Sequence, residues 1–186
     1  MRAYTTAPNP CQGVRGYRET GRSRYVTDDE FDKVRAKAHF TVIDAMDLAL
    51  LTGQRPADVL KLKRSDIRDG ALWVVQNKTG MRLGIEITGD LAAVIARIKA
   101  RPKKAISDFL IQDENGQPLT QHALRSRFDK ARELAGVDFQ FRDIRAKAAT
   151  DTGDLAHSQK LLAHKNRQMT EHYVRARMGE RIKPLR

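Results

Sequence analysis

Thr52-Gly53-Gln54-Arg55-Pro56-Ala57-Asp58-Val59-Leu60-Lys61-Leu62 is the stretch from which the rest of the chain can be ordered. The apolar run over residues 40–51 ends at Gly53, a residue suited to closing a helix. Pro56 sits where the first turn of a new helix tolerates a missing N–H. Arg55 is thereby expected on a turn between two helices, held by the scaffold on both sides. A guanidinium fixed in that way suits a phosphate.

Upstream, Thr27-Asp28-Asp29-Glu30 has the Thr-x-x-Glu form of a capping box, and Phe31, Val34 and Ala38 follow at helical spacing. A first helix is expected there, and a second over about 40–51. Downstream, Leu72-Trp73-Val74-Val75 and Leu83-Gly84-Ile85-Glu86-Ile87 are β-like runs around a polar stretch, Asn77-Lys78-Thr79-Gly80. They predict a hairpin with Lys78 near its tip. Thr88 is placed to cap a helix carrying Leu91, Val94, Ile95 and Ile98, which Pro102 ends. Phe109-Leu110-Ile111-Gln112 reads as a short strand before a turn at 113–116, and Thr120 opens a helix closing near Gly136. Further helices are expected over about 142–152, 157–162 and 170–178. The expected fold class is α+β, mainly helical, with one small antiparallel sheet; an all-parallel sheet is not supported.

The chain has 186 residues, with 35 Lys and Arg against 23 Asp and Glu and a net charge of +12. That length accommodates one domain with a real core, and the charge favours a polyanionic partner such as nucleic acid. Residues 1–26 carry five arginines against one acid, Glu19, with no apolar periodicity, and read as a basic arm or linker. The folded domain is expected over 27–186. Cys11 is the only cysteine, so an intrachain disulfide is excluded and a reducing setting fits. No apolar run reaches the roughly 20 residues of a membrane helix, and the first ten residues lack the apolar core of a secretory signal. A cytoplasmic protein is expected, with no membrane partner.

Tyr173 stands nine positions after His164 in the basic C-terminal part. A phenol with its ordinary pKa of about 10 is a poor nucleophile near neutrality, so a catalytic tyrosine needs cations and donors around the phosphate it attacks. Arg55, Lys78, Arg142, Arg145 and His164 are the candidates for that shell. His122, His157 and His172 fall at no metal-ligand spacing with cysteines or paired acids. No Gly-x-x-x-x-Gly-Lys loop for a nucleotide is present.

In motif order over roughly residues 27–180, these segments resemble the catalytic domain of the tyrosine recombinases, the phage integrase family. Thr52 to Leu62 is similar to the family's first box, with Arg55 as the first catalytic arginine and Asp58 as the acid three residues on. Gln76-Asn77-Lys78-Thr79-Gly80 resembles the hairpin lysine segment. Phe141-Arg142-Asp143-Ile144-Arg145 is similar to the second box, where Arg145 matches the second arginine and Arg142 replaces the usual His or Lys. Leu161-Leu162-Ala163-His164-Lys165 resembles the Leu-Gly-His box, with Ala163 in place of glycine. Met169-Thr170-Glu171-His172-Tyr173-Val174 matches the nucleophile segment. Each residue alone is commonplace, but their joint order and the His-to-Tyr spacing are specific.

The resemblance implies a DNA breaking-rejoining fold and attack by Tyr173 on a DNA phosphate, giving a 3′-phosphotyrosyl enzyme. Arg55, Arg145, His164 and Arg142 would stabilise the non-bridging oxygens, and Lys78 would protonate the leaving 5′-oxygen. Asp58 would pair with Arg142 and orient it. An arginine stays protonated, so residue 142 is suited to donate and not to act as a base. The family implies no ATP and no essential metal. It also implies double-stranded DNA as partner, a homo-tetramer on DNA with the tail after Tyr173 on a neighbour, and a monomer when free. A smaller core-binding domain precedes the catalytic domain in the family; here only the basic arm is present, so a fragment is expected. Integration or excision of a phage or prophage in a bacterial host is the expected role. The rivals are a type IB topoisomerase and a catalytically silent DNA-binding module.

Overall fold

The computed structural model describes residues 12–17, 24–101 and 107–178. For His172, Tyr173 and residues 175–178 the description is of the helical backbone alone. Most of the arm, Pro102 and the tail from 179 onward lie outside the described residues.

The chain enters through α1 (Asp28–Lys37), where Thr27 Oγ1 accepts from the Glu30 amide and Glu30 Oε2 accepts from the Thr27 amide. These reciprocal bonds satisfy two of the N–H groups that a helix start otherwise leaves open. α2 (Phe40–Thr52) is the central helix: Val42, Ala45, Met46, Leu48 and Ala49 are all buried, so apolar side chains cover more than one face. It packs on α1, α3 (Pro56–Val59), α4 (Gly89–Ala100), α5 (Gln121–Ala135) and α6 (Asp143–Asp151). Asp44 and Asp47 are buried on it too, and a buried carboxylate must be matched. Arg97 and Arg101 bind Asp44, while Arg35 and Arg97 bind Asp47, stitching α1, α2 and α4 together.

Three antiparallel strands, β1 (Ile67–Arg68), β2 (Ala71–Val75) and β3 (Arg82–Glu86), form the sheet in that order. The expected hairpin is β2–β3, with Trp73 opposite Gly84. A Cβ on Gly84 would lie 3.2 Å from the indole, so a side chain there would crowd the ring lying over it. The two-residue β1 was not expected; it is too short to carry a period-2 pattern. The expected strand at 109–112 is reduced to single bridges, Lys63 to Phe109 and Gln112 to Pro118. Thr88 stands at the N-cap of α4, but its hydroxyl makes no capping bond.

α5 closes with Gly136 in the left-handed region, and its Phe128 meets Phe139 and Phe141 edge-on at 5.4 and 5.3 Å. α6 is buried on nearly every side. Its Lys147 is only 1% exposed and is bound by Asp28 and by Asp151 at 2.8 Å, under the ring of Tyr25. The Tyr25 hydroxyl donates to Asp151 at 2.7 Å, which fastens the segment entering α1 onto α6. α7 (Leu155–Leu162) and α8 (Arg167–Met178) complete the chain and pack on α6 and on each other. Both start earlier than their apolar spacing indicated. Asp154 caps α7 by accepting from the Ala156 amide.

Among the described residues no helix is long and apolar enough to cross a membrane.

Candidate active site

The end of α2 packs its backbone at Gly53 against the leucine side chains that end α7. Gly53 has φ 64°, and a Cβ there would stand 3.0 Å from Leu161 Cγ and 3.2 Å from Leu162 Cδ2. Glycine is therefore required for two reasons, the left-handed turn and the close approach. The residue after Leu162, Ala163, also has a positive φ, 51°, and this bend delivers His164 into the interior.

Arg145, on α6 and 3% exposed, spans this junction. Its guanidinium donates to the Gly53 carbonyl and, at 2.8 Å, to the Leu162 carbonyl. One Nη also faces His164 Nε2 at 3.4 Å. His164 is 8% exposed, and its Nδ1 lies 3.0 Å from Thr170 Oγ1 on α8. Arginine only donates, so a neutral imidazole presents Nε2 as acceptor and Nδ1–H to the threonine. Burial, then the positive charges of Arg145 and Arg55, push the His164 pKa down to about 4.

Arg55 holds the N-cap position of α3 with extended backbone, and Pro56 opens that helix as expected. Its Nη1 donates to Gln76 Oε1 at 3.4 Å and lies 3.9 Å from Asp58 Oδ2. The other carboxylate oxygen of Asp58 accepts from the Asn77 amide at 2.9 Å. The expected partner of Asp58 was Arg142. In the structure the carboxylate is instead tucked beneath Arg55 and against the foot of the hairpin turn, because α3 is a single turn and its third residue faces inward.

Lys78 is exposed on the turn between β2 and β3. The turn is closed by the Gly80 amide on the Gln76 carbonyl at 2.8 Å, and Asn77 Oδ1 accepts from Lys61 Nζ at 2.6 Å. Arg142 precedes α6 and is exposed. Among the described residues its side chain makes no hydrogen bond or ion pair. It borders a groove of about 540 Å³ together with Pro56, Gln121, Arg125, Arg132 and Gln140. Tyr173 lies on α8, three residues beyond Thr170; its side chain is outside the described part.

Arg55, Arg145 and His164 are thus brought into one electrostatic unit, and the Lys78 turn is bonded to it. Among the described residues Arg142 is not joined to it, but shares its groove with Pro56, the neighbour of Arg55. Two buried glutamines, Gln54 and Gln76, were not expected. Gln76 Nε2 donates to Gln54 Oε1 at 2.9 Å and to the Leu162 carbonyl at 3.0 Å. The one hint in the sequence was an amide at the end of an apolar strand, directly before the polar turn.

A cluster of arginines and an imidazole thus sits at the junction of a helical domain with a small β-hairpin, beside a helix bearing a tyrosine, and the fold is that of the catalytic domains of DNA breaking-rejoining enzymes. Residues 26–180 match the model of the phage integrase family, and the chain belongs to that family. It is 31% identical over 190 residues to the integrase of Escherichia phage HK022, covering 94% of this chain and 53% of that protein. It is 34% identical over 150 residues to the prophage integrase IntE of Escherichia coli K12, covering 70% of this chain and 40% of the relative. The chain thus spans about half the length of the curated relatives it matches, or less. A lambda integrase dimer bound to a COC′ core site superimposes with a TM-score of 0.80 at 27% identity, over 95% of this chain and 68% of that one. The lambda integrase catalytic core gives 0.67 at 28% identity, over 77% and 92%.

Proposed function

We propose that this chain is the catalytic part of a site-specific recombinase that cleaves and rejoins double-stranded DNA through Tyr173. The observation that carries the reading is the Arg55–Arg145–His164 cradle, where Arg145 faces His164 Nε2 at 3.4 Å and the positive field of the two arginines adds to burial in holding the imidazole neutral down to about pH 4. A phosphodiester is the anion that such a field and such planar donors accommodate.

In this reading the Tyr173 oxygen attacks phosphorus, the bond to the 5′-oxygen breaks, and Lys78 gives that oxygen a proton. The phenolic proton is lost to solvent, because Arg142 stays protonated and serves as a donor to a non-bridging oxygen. The phosphate's negative charge draws the Arg145 proton away from His164 Nε2. The imidazole then loses its Nδ1 proton to solvent and takes one from solvent at Nε2, so that Nδ1 accepts from the Thr170 hydroxyl and Nε2–H donates to the phosphate. The free 5′-hydroxyl of a partner strand reverses the step, so the bond energy is conserved without ATP or a metal. Lambda integrase forms a tetramer on a Holliday junction, and the same assembly is proposed here, with a monomer off DNA. The role is phage or prophage integration and excision inside a bacterial cell. Residues 1–26 serve as the arm leading into the catalytic domain.

A pool of nicked duplexes with a randomised core tests the reading, since a broken strand lost beside the cut traps the intermediate. Covalent, detergent-resistant adducts that Tyr173→Phe eliminates are the expected result. No adduct at any sequence would reduce the chain to a silent binding module. Relaxation of plasmids irrespective of sequence would favour topoisomerase chemistry.

A further inference from the structure

Gln76 has a peculiar position for a neutral side chain. It is 1% exposed, so it does not reach DNA, yet both ends of its amide are fully used. Oε1 accepts from Arg55 Nη1 at 3.4 Å and from Thr79 Oγ1 at 3.0 Å. Nε2 donates to Gln54 Oε1 at 2.9 Å and to the Leu162 carbonyl at 3.0 Å. That same carbonyl accepts from Arg145 at 2.8 Å. A primary amide has two N–H groups and two principal acceptor directions, and here all four are filled. Gln54 extends the lattice by donating to the carbonyls of Thr52 and Leu161.

One amide thus touches four pieces at once: the first arginine, the turn carrying Lys78, the end of α2 and the end of α7. Thr79 is the neighbour of Lys78, so the bond from its hydroxyl fixes the turn where the lysine emerges. A general acid must be aligned with the leaving oxygen to within a few tenths of an ångström to be effective. We infer that Gln76 is a positioning residue for strand cleavage, holding the Lys78 turn in register with the Arg55 and Arg145 donors. This rests on the reading of Lys78 as the acid. The other candidate side chains fit the position less well. Glutamate would set a carboxylate against the Leu162 carbonyl and Gln54 Oε1 with nothing to donate, and asparagine is one methylene short of spanning the lattice.

The test uses a nicked duplex recovered from the randomised pool, made with either oxygen or sulfur at the 5′-bridging position of the cut. A thiolate leaves without a proton, since thiols have pKa values near 8.5, so only defects in acid catalysis are relieved by sulfur. Lys78→Ala is the reference: slow on oxygen, restored on sulfur. Gln76→Met is expected to slow single-turnover cleavage on oxygen by about 10- to 100-fold, a part of the roughly 10²–10⁴ that a positioned acid contributes. On sulfur its deficit shrinks at least about tenfold. Thr79→Val, which removes the hydroxyl that donates to Gln76 and accepts a long 3.4 Å bond from the Met81 amide on an exposed turn, shows a smaller defect with full sulfur relief and an unchanged melting temperature. This second variant decides the matter if Gln76→Met does not fold. Equal slowing on both substrates, or none in either variant, overturns the positioning role while leaving Lys78 as the acid. If Lys78→Ala itself is not relieved by sulfur, or the wild-type chain forms no adduct, the acid assignment falls and the role of Gln76 falls with it.

Discussion

Two sets of arginines lie inside this domain, and they are held in opposite ways. Arg35, Arg97 and Arg101 meet the buried carboxylates of Asp44 and Asp47, so positive and negative charge enter the interior together. Arg55 and Arg145 are oriented mainly by neutral oxygens, the Gln76 amide and the carbonyls of Gly53 and Leu162, with the Asp58 carboxylate standing off from Arg55 at 3.9 Å. The first arrangement spends its charge on cohesion. The second fixes direction with less close opposing charge, and the charges of Arg145 and Arg55 add to burial in depressing the pKa of His164. Dipoles can aim a guanidinium without cancelling it, which is what an anion-binding site needs.

The comparison breaks first if the two sets respond alike to truncation. Arg145→Ala or Arg55→Ala is expected to reduce single-turnover adduct formation by about 10²- to 10³-fold, as loss of one preorganised donor does. Arg97→Ala is expected to leave the rate per folded molecule near wild type and to lower stability by about 2–4 kcal/mol, since buried Asp44 and Asp47 both lose a partner. Denaturant titration alongside adduct kinetics separates them, and a rate loss in Arg97→Ala comparable to that in Arg145→Ala would collapse the distinction.

A pH series sharpens the electrostatic half. The folded pKa of His164 is about 4 against an ordinary value near 6.5, so the unfolded chain takes up a proton first as pH falls. Stability from this residue is therefore complete above pH 6.5 and is lost progressively toward pH 4, by about 3 kcal/mol. His164→Asn is expected to flatten that part of the unfolding profile; an unchanged slope would show that burial and the arginines together do not depress the imidazole's pKa.

Backbone changes probe the junction that aims Arg145. Gly53→Ala places a Cβ at φ 64° and 3.0 Å from Leu161, and a loss of about 1–3 kcal/mol with slower cleavage is expected. Ala163→Gly acts in the opposite sense. Relief of the left-handed strain at φ 51° outweighs the added freedom of the unfolded chain, for a gain of about 0.5–1 kcal/mol in chemical denaturation.

Local rules made much of the architecture readable. The capping box at Thr27, the stop at Gly53, Pro56 opening α3 and the polar turn between β2 and β3 each depend on neighbours within a few residues. The short β1, the unused hydroxyl of Thr88 and the dissolved strand at 109–112 were beyond such rules, because tertiary packing decides them. In the candidate site the family's motif order placed the residues along the chain, but not their partners. Gln76 meets Leu162 across 86 positions, and Asp58 turns to Asn77 and Arg55 where Arg142 was expected. Nothing in a local window encodes an amide whose partners arrive from two remote segments.

Lys147 offers a use of a different kind. With 1% of its surface exposed beneath Tyr25, this amine should escape acylating reagents that modify the surface lysines. Mass spectrometry of labelled protein then reads the clasp between the α1 entry and α6 directly. Modification at residue 147 reports the moment that the entering chain peels off the helix bearing Arg145.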